Sequence, residues 1–172
     1  MNYIKDVNLR DENAFNMIIE IEKGSKDKNE LVNETFDKLE RVRKVKIKYP
    51  FYYGCLPQTY AGDKDPMDVI LLSKKNRKCL DIVKIYPIGV IKTIDNGEID
   101  DKIIAVACDE TIKHLDKLQK IACKFLKVYK GKNGNTTVDE TFYDAIEAER
   151  LIIEANKVYE NTFNKVQAKV TF

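Results

Sequence analysis

Apolar side chains fall on alternate positions in FNMIIEIE (residues 15–22): Phe15, Met17, Ile19 and Ile21 would share one face, and Gly24 with Ser25 then breaks the run. A period of two followed by a turn pair predicts a strand and a reversal. RKVKIKY (43–49) repeats the period, with Val45, Ile47 and Tyr49 on one face and lysines on the other, and is read as a second strand. MDVILLS (67–73) is short, apolar and branched, the pattern of a strand buried on both faces. DIVKIYPIGVIKTI (81–94) carries Pro87 and Gly89 in its middle, which predicts two short strands or one strand with a bulge. DKIIAVAC (101–108) supplies another.

The period changes after Asp109. Ile112, Leu115, Leu118, Ile121, Ala122, Phe125, Leu126 and Tyr129 fall on one helical face, and Gly131 follows where a C-terminal cap belongs. KGKNGNTT (130–137) reads as a polar loop, and Asp139 as the start of a second helix through Phe142, Ala145, Ile146, Ile152 and Tyr159. Five or six strands followed by two helices give an α+β domain with a mainly β core, a small barrel or strongly curved sheet. Residues 1–172 are expected to form a single domain, since this length buries one sizeable core.

Composition narrows the function classes. Apolar residues at 44% and charged ones at 34% describe a soluble chain with a charged surface. No apolar run approaches the ~20 residues of a membrane span, and the first residues lack a signal core, so the expectation is a cytoplasmic protein with no membrane partner. Cys55, Cys79, Cys108 and Cys123 are too scattered for a zinc site or redox pair. Thirty basic residues against 28 acidic ones leave a net charge of +2, too weak to mark a nucleic-acid binder. The one histidine, His114, lies among lysines in a helical pattern and reads as an exposed residue rather than a catalyst.

Carboxylates remain. GDKDPMD (62–68) holds Asp63, Asp65 and Asp68, and TIDNGEIDDK (93–102) holds Asp95 and Asp100. Should the two loops meet, two charges ~4 Å apart repel by about 4 kcal/mol at an effective dielectric of 20, which a hard divalent cation would relieve. Oxygen ligands favour magnesium, manganese or calcium, and an EF-hand is excluded because Asp68 stands where its glycine belongs. Gly62 and Pro66 supply the turn that would gather the aspartates, yet both residues and acids are common in plain turns. Lys28, Arg41, Lys102, Tyr129 and Lys130 could contact phosphate or simply face solvent. Composition leaves both readings open.

Order and spacing add a resemblance. The chain resembles the soluble family I inorganic pyrophosphatases, whose DxDPxD signature stands here as Asp63, Asp65, Pro66 and Asp68. The likeness continues in order through IEI around Glu20, Lys28 and Glu30, Arg41, then Tyr49, Pro50, Tyr53 and Gly54. PIGV, Asp95, Gly97, Glu98, Asp100, Lys102, Tyr129 and Lys130 complete it over about residues 15–131.

The resemblance implies a five-stranded OB-like β-barrel flanked by two principal helices, hydrolysing pyrophosphate to two phosphates with several Mg2+ ions, for which Mn2+ or Zn2+ substitute. It implies Asp63, Asp68, Asp95, Asp100 and Glu30 as metal ligands, with Glu20 acting through bound waters. It further implies Asp65 as general base and Lys28, Arg41, Tyr53, Lys102, Tyr129 and Lys130 on the phosphates. A homo-oligomer is expected, a hexamer before a dimer. Departures are Asn96 where many members carry Glu, Asn29 where an aromatic is common, and the absence of tryptophan. Two rivals stay open: a single-strand nucleic-acid module stacking bases on Tyr49, Phe51, Tyr52 and Tyr53, opposed by the aspartates, and a phosphohydrolase acting on nucleotides or polyphosphate.

Overall fold

The computed structural model describes residues 1–32, 35–130 and 134–168. A short helix α1 (Tyr3–Asp6) precedes β1 (Arg10–Asp11), β2 (Ala14–Ile21), the ribbon β3 (Asp27–Val32) and β4 (Lys38–Lys44), then β5 (Tyr52–Cys55), β6 (Asp68–Leu72) and β7 (Ile82–Ile91). There follow β8 (Thr93–Asp95), β9 (Glu98–Ile99), β10 (Lys102–Ala107), α2 (Leu115–Val128), β11 (Thr136–Val138), β12 (Tyr143–Asp144) and α3 (Ala145–Ala168).

Five strands close in the order β2-β5-β6-β10-β7 and back to β2. All neighbours are antiparallel except β6 and β10, which run parallel with Asp68 opposite Lys102. Closure removes the exposed sheet edges and explains why β2 is buried along its whole length rather than on alternate residues. Phe15, Met17 and Ile19 join Val69, Leu71, Val83, Ile85, Ile103 and Ala105 inside the barrel, with Ala148 and Ile152 of α3. The other faces of the strands, including Ile21, Ile70, Ile91 and Ile104, pack against Ala122, Phe125 and Leu126 of α2. The five-stranded OB-like barrel and its two principal helices are therefore as expected, with α1 added.

Several boundaries differ. Residues 45–49 are not a strand: Val45 N donates to Lys26 O (2.8 Å), Lys46 N to Tyr129 O (3.1 Å) and Tyr49 N to Ser25 O (2.9 Å), so loop and helix-end carbonyls satisfy them instead of a ladder. The strand lies earlier, at β4, paired with β3. Within residues 81–94 the single bulged strand is β7, ending at Ile91 before β8 begins at Thr93: β10 skips Ile88 in its register with β7. The second helix starts at Ala145, because Asp139 takes Thr141 N (2.9 Å) and the Tyr143 hydroxyl (2.7 Å) in a local turn that competes with helix. Tyr143 and Asp144 meanwhile pair with β7. The first helix starts at Leu115, after an exposed His114 in left-handed backbone (φ 60). The cap expected at Gly131 lies outside the described residues. The proposed stacking platform does not exist as such: Tyr49, Phe51, Tyr52 and Tyr53 are all buried. Among the described residues no helix is long and apolar enough to cross a membrane.

Candidate active site

One end of the barrel carries a pocket of about 210 Å³ lined by Glu20, Lys28, Glu30, Tyr53, Asp63, Asp65, Asp68, Asp95 and Asp100. The two acidic loops thus do meet, and the β3–β4 ribbon closes over them with Lys28 and Glu30, which pair at 3.0 Å. The aspartate loop is built by backbone bonds: Ala61 N to Asp65 O (2.8 Å) and Lys64 N to Ala61 O (3.0 Å), with Lys64 left-handed (φ 66) at the tip. Asp63 Oδ1 accepts Asp65 N at 3.1 Å, which ties the two aspartates into one turn. Pro66 then leads into β6, whose first residue is Asp68.

Across the pocket, Asn96 and Gly97 both have positive φ (50 and 79) in the two-residue turn joining β8 to β9. Asn-Gly suits such a hairpin turn, which accounts for the asparagine where a glutamate is common. The hairpin holds Asp95, paired with Lys130 and accepting Thr136 Oγ1 at 2.9 Å. Lys102, 3% exposed, stands between Asp68 (2.5 Å) and Asp100 (2.6 Å).

The electrostatics show a pocket short of positive charge. Burial, reinforced by Asp68, Asp100 and Asp65, pushes the Asp63 carboxyl up to about 7. Burial likewise raises Asp65, with Glu30 and Asp68 adding repulsion, and takes Glu20 up to about 8 even though its Oε1 accepts Leu31 N at 2.8 Å. Asp100 is raised by burial and by Asp68. Burial would raise Asp68 too, but the Lys102 ammonium overrides it and holds Asp68 low. For Lys102 burial opposes the charge, yet Asp68 and Asp100 keep it protonated.

Some expected residues stand apart. Lys102, Lys130 and Tyr129 reach the site from behind its carboxylates rather than through the lining: Tyr129 is buried, with the Lys130 ammonium 5.7 Å from its ring. Arg41 is turned to Asp27 (3.4 Å) and is largely exposed. Arg43, not singled out in the sequence, lies opposite Lys28 in the ribbon with its guanidinium 5.8 Å from the Tyr129 ring. Asn29, Cys55 and Glu98 also line the pocket. Cys55 enters because it faces Asp68 in the β5–β6 register, a pairing that no local sequence pattern marks.

Among the described residues no three acidic, histidine or cysteine side chains already gather around one ion position. The donor set nevertheless fits a hard divalent cation: its donors are carboxylate oxygens, and their raised protonation marks charge that such an ion would neutralise.

A closed mixed barrel whose mouth gathers carboxylates around the Lys102 and Lys130 ammonium groups defines a barrel protein with a carboxylate-rich candidate centre. The family described as "Inorganic pyrophosphatase" matches residues 17–160. The chain is 36% identical over 155 residues to a soluble inorganic pyrophosphatase of Hordeum vulgare, covering 85% of this chain and 71% of that one. It is 35% identical to the Zea mays enzyme of that name, at 85% and 72% coverage. Among solved structures, an inorganic pyrophosphatase from Neisseria gonorrhoeae superposes with a TM-score of 0.82 at 29% identity, covering 92% of this chain and 99% of that one. The type I enzyme of P falciparum shares the fold at 0.89 and 22% identity, covering 99% and 67%. The chain belongs to the inorganic pyrophosphatase family.

Proposed function

We propose that this enzyme hydrolyses inorganic pyrophosphate to two phosphates with magnesium, Mn2+ or Zn2+ serving as substitutes. The observation that carries the reading is the convergence of Asp63, Asp65 and Asp68 with Asp95 and Asp100 in one pocket, with Lys102 bridging the two groups. Asp63, Asp68, Asp95, Asp100 and Glu30 would hold the ions, with Glu20 acting through waters from its buried position. Bound magnesium supplies charge neutralisation and acidifies water.

The chain's own groups do the rest. Asp65 takes the proton as a water oxygen bonds to one phosphorus and the bridging P–O bond breaks, releasing the second phosphate. Burial and the neighbouring Glu30 and Asp68 raise its affinity for protons, the direction that strengthens a general base. Lys28, Tyr53, Lys102, Tyr129 and Lys130, with Arg41, orient the two phosphates and stabilise charge developing on the leaving one. The family likeness also supports a cytoplasmic homo-oligomer, a hexamer before a dimer.

The test is phosphate release from pyrophosphate with magnesium, with chelator, and with Asp65→Asn. Turnover should vanish with chelator and fall by about 10²–10⁴-fold in the variant, while the variant still binds Mn2+. Near-normal turnover by Asp65→Asn would remove Asp65 from its assigned role.

A further inference from the structure

The chain that leads into the aspartate loop is held from both ends of the sequence. Gln58 is left-handed (φ 52), a conformation that a side-chain-bearing residue keeps only where its surroundings over-determine it. Here they do. Gln58 N donates to Ile4 O (2.9 Å) and Nε2 to Lys5 O (3.1 Å), while Oε1 accepts Leu9 N (3.3 Å). Its carbonyl accepts Asn156 Nδ2 of α3 at 2.8 Å.

Tyr60 continues the attachment. Its N–H donates to Ala155 O (3.0 Å), and its ring meets Phe163 edge-on at 5.6 Å. Thr59 Oγ1 donates to Leu56 O (2.7 Å) and accepts Met67 N (2.9 Å), closing the far side of the loop. Ala61 then carries the bonds that set Asp65 and Lys64. Gln58, Thr59, Tyr60 and Ala61 are thus each held by a hydrogen bond on the way into the loop of Asp63 and Asp65.

We propose that Asn156 is a positioning residue for this enzyme: through the Gln58 carbonyl it fixes the loop that presents Asp63 and Asp65. The inference rests on the function proposed above and deepens it. It also gives α3 a task beyond covering the barrel, because the same helix turn that supplies Ala155 O supplies the Asn156 amide.

The experiment compares Asn156→Ala, Asn156→Asp and Asn156→Gln with Ile152→Val, a change on the same helix inside the barrel core. Two readouts are taken on the full chain without substrate: amide hydrogen exchange of Ala61, Lys64 and Asp65, and Mn2+ binding by calorimetry. Removing a group bonded directly to a metal ligand typically weakens affinity 10–100-fold, and Asn156, which holds the loop's anchor rather than a ligand, belongs at the lower end of that range. Asn156→Ala and Asn156→Asp should therefore weaken Mn2+ binding about tenfold and speed exchange at the loop. Asn156→Gln, which keeps a donor, should recover part of both. Ile152→Val should lower the melting temperature and move neither.

Mn2+ affinity and loop exchange like wild type in Asn156→Asp, or equal changes in Ile152→Val, would overturn the proposal. If Asn156→Ala does not fold, the Asp and Gln variants carry the comparison. Wild-type turnover of pyrophosphate is measured alongside: its absence would sink the proposed function, whereas an active wild type with unaffected variants would sink the role of Asn156 alone.

Discussion

Gly54→Ala tests how the barrel holds its site. A Cβ at Gly54 would lie 1.9 Å from Ile18 O and 2.9 Å from Ile18 C, both main-chain atoms of the neighbouring strand. Real Cβ contacts essentially never fall below 3.0 Å, so β2 and β5 would have to separate by about 1 Å at this point. No side chain can yield instead. The register there runs Ile18 to Cys55, Ile19 to Gly54 and Ile21 to Tyr53, so separation would break ladder bonds in a closed barrel that cannot open at an edge.

Overpacking a tight site costs roughly 1–3 kcal/mol, and a backbone clash belongs at or above the top of that range. A loss of about 3 kcal/mol is a large part of the ~5–15 kcal/mol available to a typical domain. At this chain length it corresponds to roughly 6–12 °C in melting temperature. Turnover should fall as well, because β2 carries Glu20 and β5 carries Tyr53 into the pocket. Equilibrium urea unfolding gives the number directly. A loss below about 1 kcal/mol would show that the strands do not approach as described.

Two further outcomes follow. Because Asp63 holds its proton to about 7 when folded but only to ~3.9 when unfolded, the folded state binds the extra proton between those values and stability falls as pH rises through them. The full shift would be worth ~4 kcal/mol, which solvent access at the pocket mouth reduces to ~1–2 kcal/mol; with chelator the urea midpoint should be higher at pH 5 than at pH 8, Mg2+ should restore it at pH 8, and a higher midpoint at pH 8 without metal would contradict the sign. Away from the pocket, Arg77 bonds Glu110 and Asp109 at 2.7 Å each, and Arg77→Met removes the counter-charge of the half-buried Glu110, which keeps only its bonds from Ser73 Oγ and Lys74 N, at a cost of ~1.5–3 kcal/mol. Denaturant unfolding should show that loss with an unchanged Michaelis constant for pyrophosphate, and a loss under ~1 kcal/mol would mean the pair is screened.

Much of the fold could be read because most barrel strands have a clear pattern. β6 and β10 are continuous apolar runs, buried as such runs must be, and α2 shows its packed face through Ala122, Phe125 and Leu126. The β3–β4 ribbon left no such trace. Nearly all of β4 is exposed, so burial imposes no alternation on it, while Val45 and Tyr49, just beyond its end, are buried from loop positions and imitate a strand. β2 hid its bulge for the opposite reason: alternation runs unbroken from Phe15 to Ile21, yet the register shift past Ile19 sends Ile21 to the α2 side of the sheet. That shift accompanies the burial of Glu20 beside Leu31 N.

The site divides along the same physical line. Asp63, Asp65 and Asp68 were visible because a turn needs Gly62 and Pro66 close to them, and Asp95 and Asp100 because a hairpin does the same with Asn96 and Gly97. What brings the two groups together is the parallel pairing of Asp68 with Lys102, a contact between distant positions that no local pattern encodes. The place of Arg43 beside Tyr129 follows from another such contact: the ribbon sets Lys28 opposite Arg43 and Asn29 opposite Arg41, leaving Val42 between them unpaired. Asn156 is the extreme case, bonded to Gln58 across 98 residues. Local turns thus explain which carboxylates are present, whereas the long-range register explains which cation each one meets. For this reason the substitutions that discriminate among site models are those at Gly54, Lys102 and Asn156, where strands and helix meet, more than those at the aspartates themselves.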